Sequence, residues 1–210
     1  MEAVEQAKKL VQISYDVKEA VFDPHTAMQN GAPSVHEGSN ILAHENLHRG
    51  DPDTAIANAK YVVTQHYETP FTEHAFMEPE CAIAQYDSDA QYMTIWSSDQ
   101  GVYTTQHECA LMLGLPAEKV HIINALVGGG FGGKEDMSVQ HHAGLLSYLT
   151  HRPVKVKLTR AESILIHPKR HAMSIDCTTA CDENGMLVAT RVRVISDTGA
   201  YASLGGPVLQ

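Results

Sequence analysis

Apolar and polar residues alternate at two different periods along this chain, and each period predicts one kind of element. Apolar residues that recur every three or four positions predict helices at the start of residues 2–17 and at 51–59, 102–115, 138–151 and 162–167. Alternation at every second position predicts strands at the end of residues 2–17 and at 60–71, 80–87, 91–99, 119–124, 154–158, 172–180 and 186–196.

The order of these segments indicates the fold class. The strands between residues 60 and 99 follow one another closely, so a meander is the simplest arrangement for them. The last two strands flank the turn CDENG, whose Asn184-Gly185 tip is typical of a hairpin. Antiparallel runs that alternate with single helices favour an α+β fold, with mixed or antiparallel sheets and packed helices. Residues 22–40 are rich in Pro, Gly, Asn and Ser and predict a loop or linker.

Composition narrows the classes of partner. A net charge of −10, without any stripe dense in Lys and Arg, disfavours nucleic acid. No apolar run approaches the roughly 20 residues of a membrane-spanning helix, and the N-terminus lacks the layout of a signal peptide. We therefore expect no membrane partner and a cytoplasmic location. The four cysteines lack C-x-x-C spacing and are expected to be reduced thiols, not ligands of an iron–sulfur cluster.

The stretch VGGGFGGKED, residues 127–136, fits two nucleotide-binding patterns. The pattern G-x-x-x-x-G-K begins a phosphate loop, but Glu135 stands where Ser or Thr would ligate Mg²⁺, and its carboxylate would repel phosphate. The pattern G-x-G-x-x-G is typical of dinucleotide sites, yet the acidic ribose-binding residue expected about 20 positions later is absent. Arg160 could serve a 2′-phosphate instead. A nucleotide-binding module therefore remains the alternative from another class.

A further pattern, HENLH at residues 44–48, matches the zinc-protease sequence H-E-x-x-H. That chemistry requires both imidazoles on one face of a helix. Gly50 and Pro52 would end any helix within a few residues, so we expect an exposed loop or strand here. Zinc hydrolysis is thus a third and weaker hypothesis.

Five glycines among residues 127–136 are more than a tight turn requires. Without Cβ atoms, a backbone can take positive φ and lie directly against a ligand, with its N–H groups turned to an anion or to sulfur and oxygen atoms. We therefore interpret this segment as a ligand-binding loop.

Four blocks resemble the molybdenum hydroxylases, the family that includes xanthine dehydrogenase and aldehyde oxidase. The loop at residues 128–135 is similar to the family's Gly-Gly-Gly-Phe-Gly-Gly-Lys-Glu. The others are ETPFTEHAFMEPECAIA, SSDQGVYTTQHECALMLGLP and SDTGAY. The resemblance implies that residues 45–210 are the N-terminal part of a molybdopterin-binding domain of the xanthine dehydrogenase type. Residues 1–44 would then be the tail of a preceding hammerhead-like domain plus a linker.

The resemblance also implies a set of contacts to the cofactor. In the family, the glutamine at the position of Gln100 hydrogen-bonds the apical oxo ligand of molybdenum. Gly130, Phe131 and Gly132 match the loop residues that approach the metal and its pterin, with room for the Gly132 N–H to point at the metal's ligands. None of them is a direct metal ligand. Glu135 matches a glutamate that faces the substrate in purine-oxidising members, whereas aldehyde-specific members differ there.

Three of these positions have structural alternatives. Gln100 could cap the following helix, Phe131 could anchor the loop in the core, and Glu135 could lie in the first turn of a helix, where the dipole favours acidic side chains.

The activity implied by the resemblance is oxidative hydroxylation of a purine-like N-heterocycle, of the xanthine or hypoxanthine type, with oxygen derived from water. An aldehyde or nicotinate-type hydroxylase of the same family is the alternative. The implied cofactor is molybdopterin with Mo, in the cytosine dinucleotide form, with 2Fe-2S and FAD groups on partner subunits or domains. The family's catalytic base is a glutamate expected beyond residue 210. We therefore assign no catalytic residue and expect a fragment that is inactive alone, with homo-oligomerisation left open.

Overall fold

The computed structural model describes residues 2–208, which divide into two compact units between Leu42 and Ala43. In the first unit, helix α1 (Glu2–Leu10) has glutamates in its first turn and lysines in its last turn. The positive end of a helix dipole lies at the N-terminus, so both placements stabilise the helix. The assignment of residues 1–44 to a preceding domain stays a prediction.

The strand that the sequence predicts after α1 does not form. Residues 11–23 are neither helix nor strand, and apolar members of the alternation such as Ile13 and Val17 are exposed. A strand needs a neighbour for its backbone hydrogen bonds, and no other segment of residues 2–208 pairs with this one. The short helix α2 (Pro24–Ala27) follows within the predicted linker, capped by the Asp23 side chain.

The second unit packs helices against two sheets. Its helices are α3 (Pro52–Asn58), α4 (Val102–Leu113), α5 (Gln140–Thr150), α6 (Arg160–Ile166) and α7 (Gly205–Val208), with a 3-10 turn at Ala117–Lys119. Its strands are β1 (Tyr61–Thr69), β2 (Cys81–Asp87), β3 (Tyr92–Ser97), β4 (Val120–Asn124), β5 (Val154–Lys157), β6 (Ala172–Cys181) and β7 (Leu187–Asp197). The predicted α+β class is confirmed.

The core lies between helices α4 and α5 and a sheet of order β4-β3-β2-β5. Strands β2 and β3 alternate buried with more exposed residues, so one face of the sheet is apolar. Ala82 and Ala84 on β2 and Ala143 on α5 are fully buried. Their small side chains let the helix approach the sheet closely.

The predicted meander is wrong for its first strand. β1 pairs with β6 along its whole length in a second, antiparallel sheet of order β1-β6-β7, whereas β2 pairs with β3 and β5. Because β2 already has a partner on each edge, it offers no free backbone groups to β1.

The strand order also determines which loops meet. β3 and β4 are parallel neighbours, with Ser97 opposite Asn124 at their ends. The carboxyl ends of parallel strands lie at the same edge of a sheet, so the segment after β3 and the glycine-rich segment after β4 emerge side by side.

Candidate functional site

Gln100 and the glycine loop, residues 125–139, are joined by three hydrogen bonds. The Gln100 backbone N–H donates to the Lys134 carbonyl at 2.9 Å. Its side-chain Oε1 accepts from the N–H groups of Gly132 at 3.2 Å and Lys134 at 3.1 Å. The structure thus brings together two segments that the sequence separates. The Gly132 N–H points at Gln100, a partner that the sequence did not indicate.

These donors fix the direction of the Gln100 carboxamide. Only its oxygen can accept hydrogen bonds, so the oxygen faces the loop and the NH₂ group faces the opposite side. Gln100 also lines a cavity of about 560 Å³. The Gln100 NH₂ group is therefore the part of this side chain that can donate a hydrogen bond to a ligand. Gln100 does not cap α4 with its side chain, since the N-cap position is Gly101.

The loop depends on glycine at two positions around this contact. A Cβ at Gly130 would lie 2.1 Å from Gln100 Oε1, far inside van der Waals distance. Gly132 has a φ of +88°, in the left-handed region that other residues rarely adopt. Side chains at either position would separate Gln100 from the loop or strain the backbone.

Phe131 lies at the exposed tip of the loop, so the alternative that it anchors the loop in the core is wrong. Its side chain is 63% exposed, and its φ of +56° is unusual for a residue with a side chain. Its carbonyl accepts a hydrogen bond of 3.3 Å from the Arg170 guanidinium. Phe131 thus presents an aromatic ring to solvent beside the residues that contact Gln100.

Lys134 turns away from solvent and forms a buried ion pair. Its ammonium lies 2.5 Å from Glu78 Oε1 and 4.5 Å from the centre of the Phe76 ring. The Lys134 side chain is only 2% exposed, whereas that of Glu78 is 36% exposed. Glu78 Oε1 also accepts from the Gly128 N–H at 2.7 Å, so one carboxylate joins the two ends of residues 128–134 within the glycine loop.

Burial by itself would raise the pKa of Glu78. The hydrogen bonds from Lys134 and the Gly128 N–H outweigh burial because they stabilise the ionised form, and the pKa lies below its ordinary value. The sequence assigned no role to Glu78, although it lies in the block that resembles the family. The pairing could not be found from spacing alone, since the two side chains are 56 positions apart.

The same contacts argue against the nucleotide-binding interpretation. A phosphate loop needs its lysine free for phosphate and a helix that begins directly after the glycines. Lys134 is buried against Glu78, and helix α5 begins only at Gln140. The loop therefore lacks both the free cation and the helix N-terminus that phosphate binding requires.

Glu135 lines the same cavity as Gln100. It lies in a turn before α5, not in the first turn of a helix, and its side chain is exposed. Glu108 and Asp136 also line the cavity, and no lysine, arginine or histidine does so among the described residues. A cavity that is lined by carboxylate acceptors and lacks a cationic side chain suits a ligand that donates N–H hydrogen bonds.

Two histidines support the loop from inside the protein. His74 Nδ1 and His167 Nε2 are 3.1 Å apart, and His167 Nδ1 lies 3.1 Å from the Ser163 carbonyl, which can only accept. In the neutral pair, His74 therefore donates to His167. Burial lowers the pKa of His74, and the neighbouring His167 lowers it further. A Cβ at Gly133 would lie 3.0 Å from His74 Cγ, so the ring packs against the loop.

The other features of interest lie outside this site. His44 and His48 are exposed and belong to no helix. Among residues 2–208, no group of three His, Cys, Asp or Glu side chains is arranged to hold a metal ion. No helix in that range is long and apolar enough to cross a bilayer.

Residues 35–210 match the molybdopterin cofactor-binding domain family. The chain belongs to this family. It is 39% identical over 206 residues to the nicotinate dehydrogenase large molybdopterin subunit of Eubacterium barkeri, covering 98% of this chain and 48% of that relative. It is 35% identical over 202 residues to a xanthine dehydrogenase molybdenum-binding subunit of Escherichia coli, covering 96% of this chain and 27% of that relative.

The aldehyde oxidoreductase from Desulfovibrio gigas has a similar fold. The TM-score is 0.86 at 21% identity, over 93% of this chain and 22% of that chain. The resemblance to molybdenum hydroxylases is confirmed by these matches. This chain spans less than half the length of the two curated relatives.

Proposed function

We propose that the protein is the molybdenum-bearing part of an oxidoreductase that hydroxylates a purine-like N-heterocycle with oxygen derived from water. The observation that carries this proposal is a cavity lined by both Gln100 and Glu135. One residue offers an amide donor beside the glycine loop, and the other offers a carboxylate to a substrate. Membership of the molybdopterin-binding family supports the choice of cofactor.

The residues fit a molybdenum–pterin group. We assign its contacts to Gln100, Gly130, Phe131 and Gly132, all of them indirect with respect to the metal. Because position 130 has no room for a Cβ beside Gln100, the loop backbone itself forms the surface offered to the pterin. The bound group would supply the oxygen transfer and the two-electron oxidation.

The chain's own residues would orient both reactants. The Gln100 NH₂ group would donate to the cofactor without changing the charge of the site. The Glu135 carboxylate would accept from a ring N–H and thereby hold the heterocycle in one orientation. The catalytic base would be a glutamate outside residues 1–210.

Electrons would leave through 2Fe-2S and FAD groups on partner subunits or domains. All four cysteines of this chain are free thiols at scattered positions, so they do not form a site for an iron–sulfur cluster. We propose the cytosine dinucleotide form of the pterin and a cytoplasmic location on the same basis of resemblance.

A nicotinate-type hydroxylase is the second candidate, since a relative at 39% identity is named nicotinate dehydrogenase. An aldehyde hydroxylase of the same family is the third. The distinction depends on Glu135, whose carboxylate suits a ring N–H better than it suits an aldehyde or the carboxylate of nicotinate.

Turnover and metal content of the full-length protein test this proposal. We expect stoichiometric molybdenum and a higher kcat/KM for xanthine than for nicotinate or benzaldehyde. Glu135→Gln should lower kcat/KM for xanthine by about tenfold or more, the effect of losing one hydrogen bond to a charged group. Glu118→Gln is the matched control, because it removes an exposed carboxylate that does not line the cavity, and it should leave kcat/KM for xanthine unchanged.

Two results would contradict the proposal. Absence of molybdenum from the full-length protein would exclude the cofactor assignment, and preference for nicotinate or an aldehyde would exclude the purine assignment. The 210-residue chain alone should bind no molybdenum and turn over no xanthine.

A further inference from the structure

The residue before Gln100 is a buried carboxylate with several hydrogen bonds. Asp99 is 2% exposed. Its Oδ1 accepts from the Gly101 N–H at 2.6 Å, and its Oδ2 accepts from the Thr105 hydroxyl at 2.7 Å and from Gln140 Nε2 at 3.1 Å. These donors come from the start of α4 and the start of α5. An ionised carboxylate suits the position because every partner is a donor.

The backbone of Asp99 is held just as firmly. Its N–H donates to Asn124 Oδ1 at 3.0 Å, and its carbonyl accepts from Asn124 Nδ2 at 2.9 Å. Asn124 is the last residue of β4, before the glycine loop, and Gln140 is the first residue of α5, after the loop. Asp99 therefore joins the two ends of the loop at its base.

These contacts fix both peptide groups that flank Gln100. The peptide before it is held by Asn124 Nδ2 at its carbonyl and by the Lys134 carbonyl at its N–H. The peptide after it is held by Asp99 Oδ1, which accepts from the Gly101 N–H. With both planes fixed, the φ and ψ angles of Gln100 are fixed, and its side chain starts in one direction toward the loop.

We infer that Asp99 is a positioning residue, which closes the base of the glycine loop and thereby holds the Gln100 carboxamide with its oxygen toward the loop and its NH₂ toward the cavity. The consequence for catalysis rests on the proposed function. The positioning itself does not, because it is a property of the chain without cofactor.

Asparagine at this position reverses one contact. In Asp99→Asn, one side-chain oxygen remains for the Gly101 N–H, and the new NH₂ group meets the NH₂ group of Gln140. The Thr105 hydroxyl can turn and accept from the new NH₂ group, but the Gln140 NH₂ group loses its acceptor. Gln140→Glu alone places two carboxylates together, whereas the double variant Asp99→Asn/Gln140→Glu restores a donor and an acceptor with the polarity reversed. The carboxylate introduced at position 140 would keep an oxygen for the Ser138 and Val139 N–H groups that Gln140 serves now.

Amide hydrogen exchange on the full-length, cofactor-free protein measures the positioning directly. The reporters are the N–H groups of Gly132 and Lys134, because both donate to Gln100. We expect Asp99→Asn to speed their exchange by about tenfold, as for loss of a hydrogen bond to a charged group. The double variant should return their exchange to within about threefold of the wild type.

The matched control is Ser147→Ala, at the other end of α5. Ser147 is fully buried, accepts from the Tyr86 N–H and donates to the Arg152 carbonyl. The Ser147→Ala variant should destabilise the whole unit, but the exchange rate of the Gly132 N–H relative to the rates of the sheet N–H groups should not change. If Asp99→Asn does not fold, Thr105→Val removes one donor, leaves the carboxylate in place and should give the same pattern at smaller amplitude.

In the cofactor-loaded full-length protein, Asp99→Asn should lower kcat and leave the KM for substrate nearly unchanged, whereas Ser147→Ala should change neither. Unchanged exchange at Gly132 and Lys134 in Asp99→Asn, or no recovery in the double variant, would overturn the inference. Absence of molybdenum from the wild-type protein would overturn the proposed function and leave the exchange result standing.

Discussion

Replacing Glu78 by glutamine tests how the glycine loop is held closed. Glu78→Gln keeps an oxygen that can accept from the Gly128 N–H, but it removes the negative charge opposite Lys134. The Lys134 ammonium is then left almost fully buried, with the Phe76 ring as its other favourable contact. An ammonium out of water without a counter-charge is costly.

The size of the effect follows from the burial of the two partners. Breaking a fully buried ion pair by removing one partner costs about 3–5 kcal/mol. Here Glu78 is 36% exposed, so water already screens the pair, and the amide oxygen still accepts from Lys134. We expect a loss of about 2–3 kcal/mol in the free energy of unfolding. For a unit of this size, the shift in Tm would be roughly 5–10 °C.

Comparing denaturant unfolding of Lys134→Met with that of Glu78→Gln makes the test specific for the buried charge. Lys134→Met removes the buried charge and leaves Glu78 where water can reach it, so we expect a smaller loss than in Glu78→Gln. Asp53→Asn is the surface control, because the Asp53 and Arg191 side chains are 76% and 60% exposed. It should cost less than about 1 kcal/mol.

Acid titration checks the same contact by another route. Because the pKa of folded Glu78 lies below its ordinary value, its stabilisation is present above the unfolded pKa and is lost as pH falls through the folded pKa. Glu78→Gln should therefore weaken the acid dependence of stability. This account of the loop would be refuted if Glu78→Gln had the same denaturant midpoint as the wild type. It would also be refuted if Lys134→Met lost more free energy of unfolding than Glu78→Gln.

Three further outcomes are expected. Gly130→Ala should reduce molybdenum bound by the full-length protein by about tenfold or more, because its Cβ would lie 2.1 Å from Gln100 Oε1. A proton NMR titration should find the pKa of His66 above its ordinary value, chiefly because of the hydrogen bond to Asp176, so that the contribution of this pair to stability is lost as pH rises through that pKa. Burial raises the pKa of the Cys109 thiol to about 12, so iodoacetamide at pH 8 should leave Cys109 unmodified in the native protein.

Each outcome has a control within the chain. Gly206→Ala should keep its molybdenum, since no atom beyond its chain neighbours and its own helix lies within 4 Å of the added Cβ. Asp176→Asn should bring the pKa of His66 back toward its ordinary value, and an unchanged titration would contradict the assigned cause. Cys177 is partly exposed and should be alkylated under conditions that spare Cys109. Equal labelling of the two would show that the core opens readily.

Local pattern predicted most of the elements, and it failed where a partner strand decided the outcome. The helical spacing at residues 102–115 and 138–151 is borne out by α4 and α5. The alternation at residues 11–17 is as regular as that of β2, yet it forms no strand, because a strand is stable only beside another strand. The pairing of β1 with β6 was missed for the same reason, since its partners are more than 100 positions apart.

The candidate site also combines features that local sequence predicts with features that depend on distant partners. Its glycines and the position of Gln100 were recognised from short blocks of sequence, because close approach of a backbone to a ligand restricts the residue types that fit. The roles of Glu78 and Asp99 were missed, because the partners that tie them to the loop and its ends lie 25 to 56 positions away and no local rule links them.

The sequence by itself determined the family, the α+β class and the loop with its glycines, since each depends on local spacing and on residue type. Tertiary structure alone decided that Lys134 faces inward to Glu78 and that Gln100 turns its oxygen to the loop. The physical reason is that backbone preference acts over a few residues. The direction of a polar side chain, by contrast, depends on which donors and acceptors the parallel pairing of β3 and β4 brings beside it.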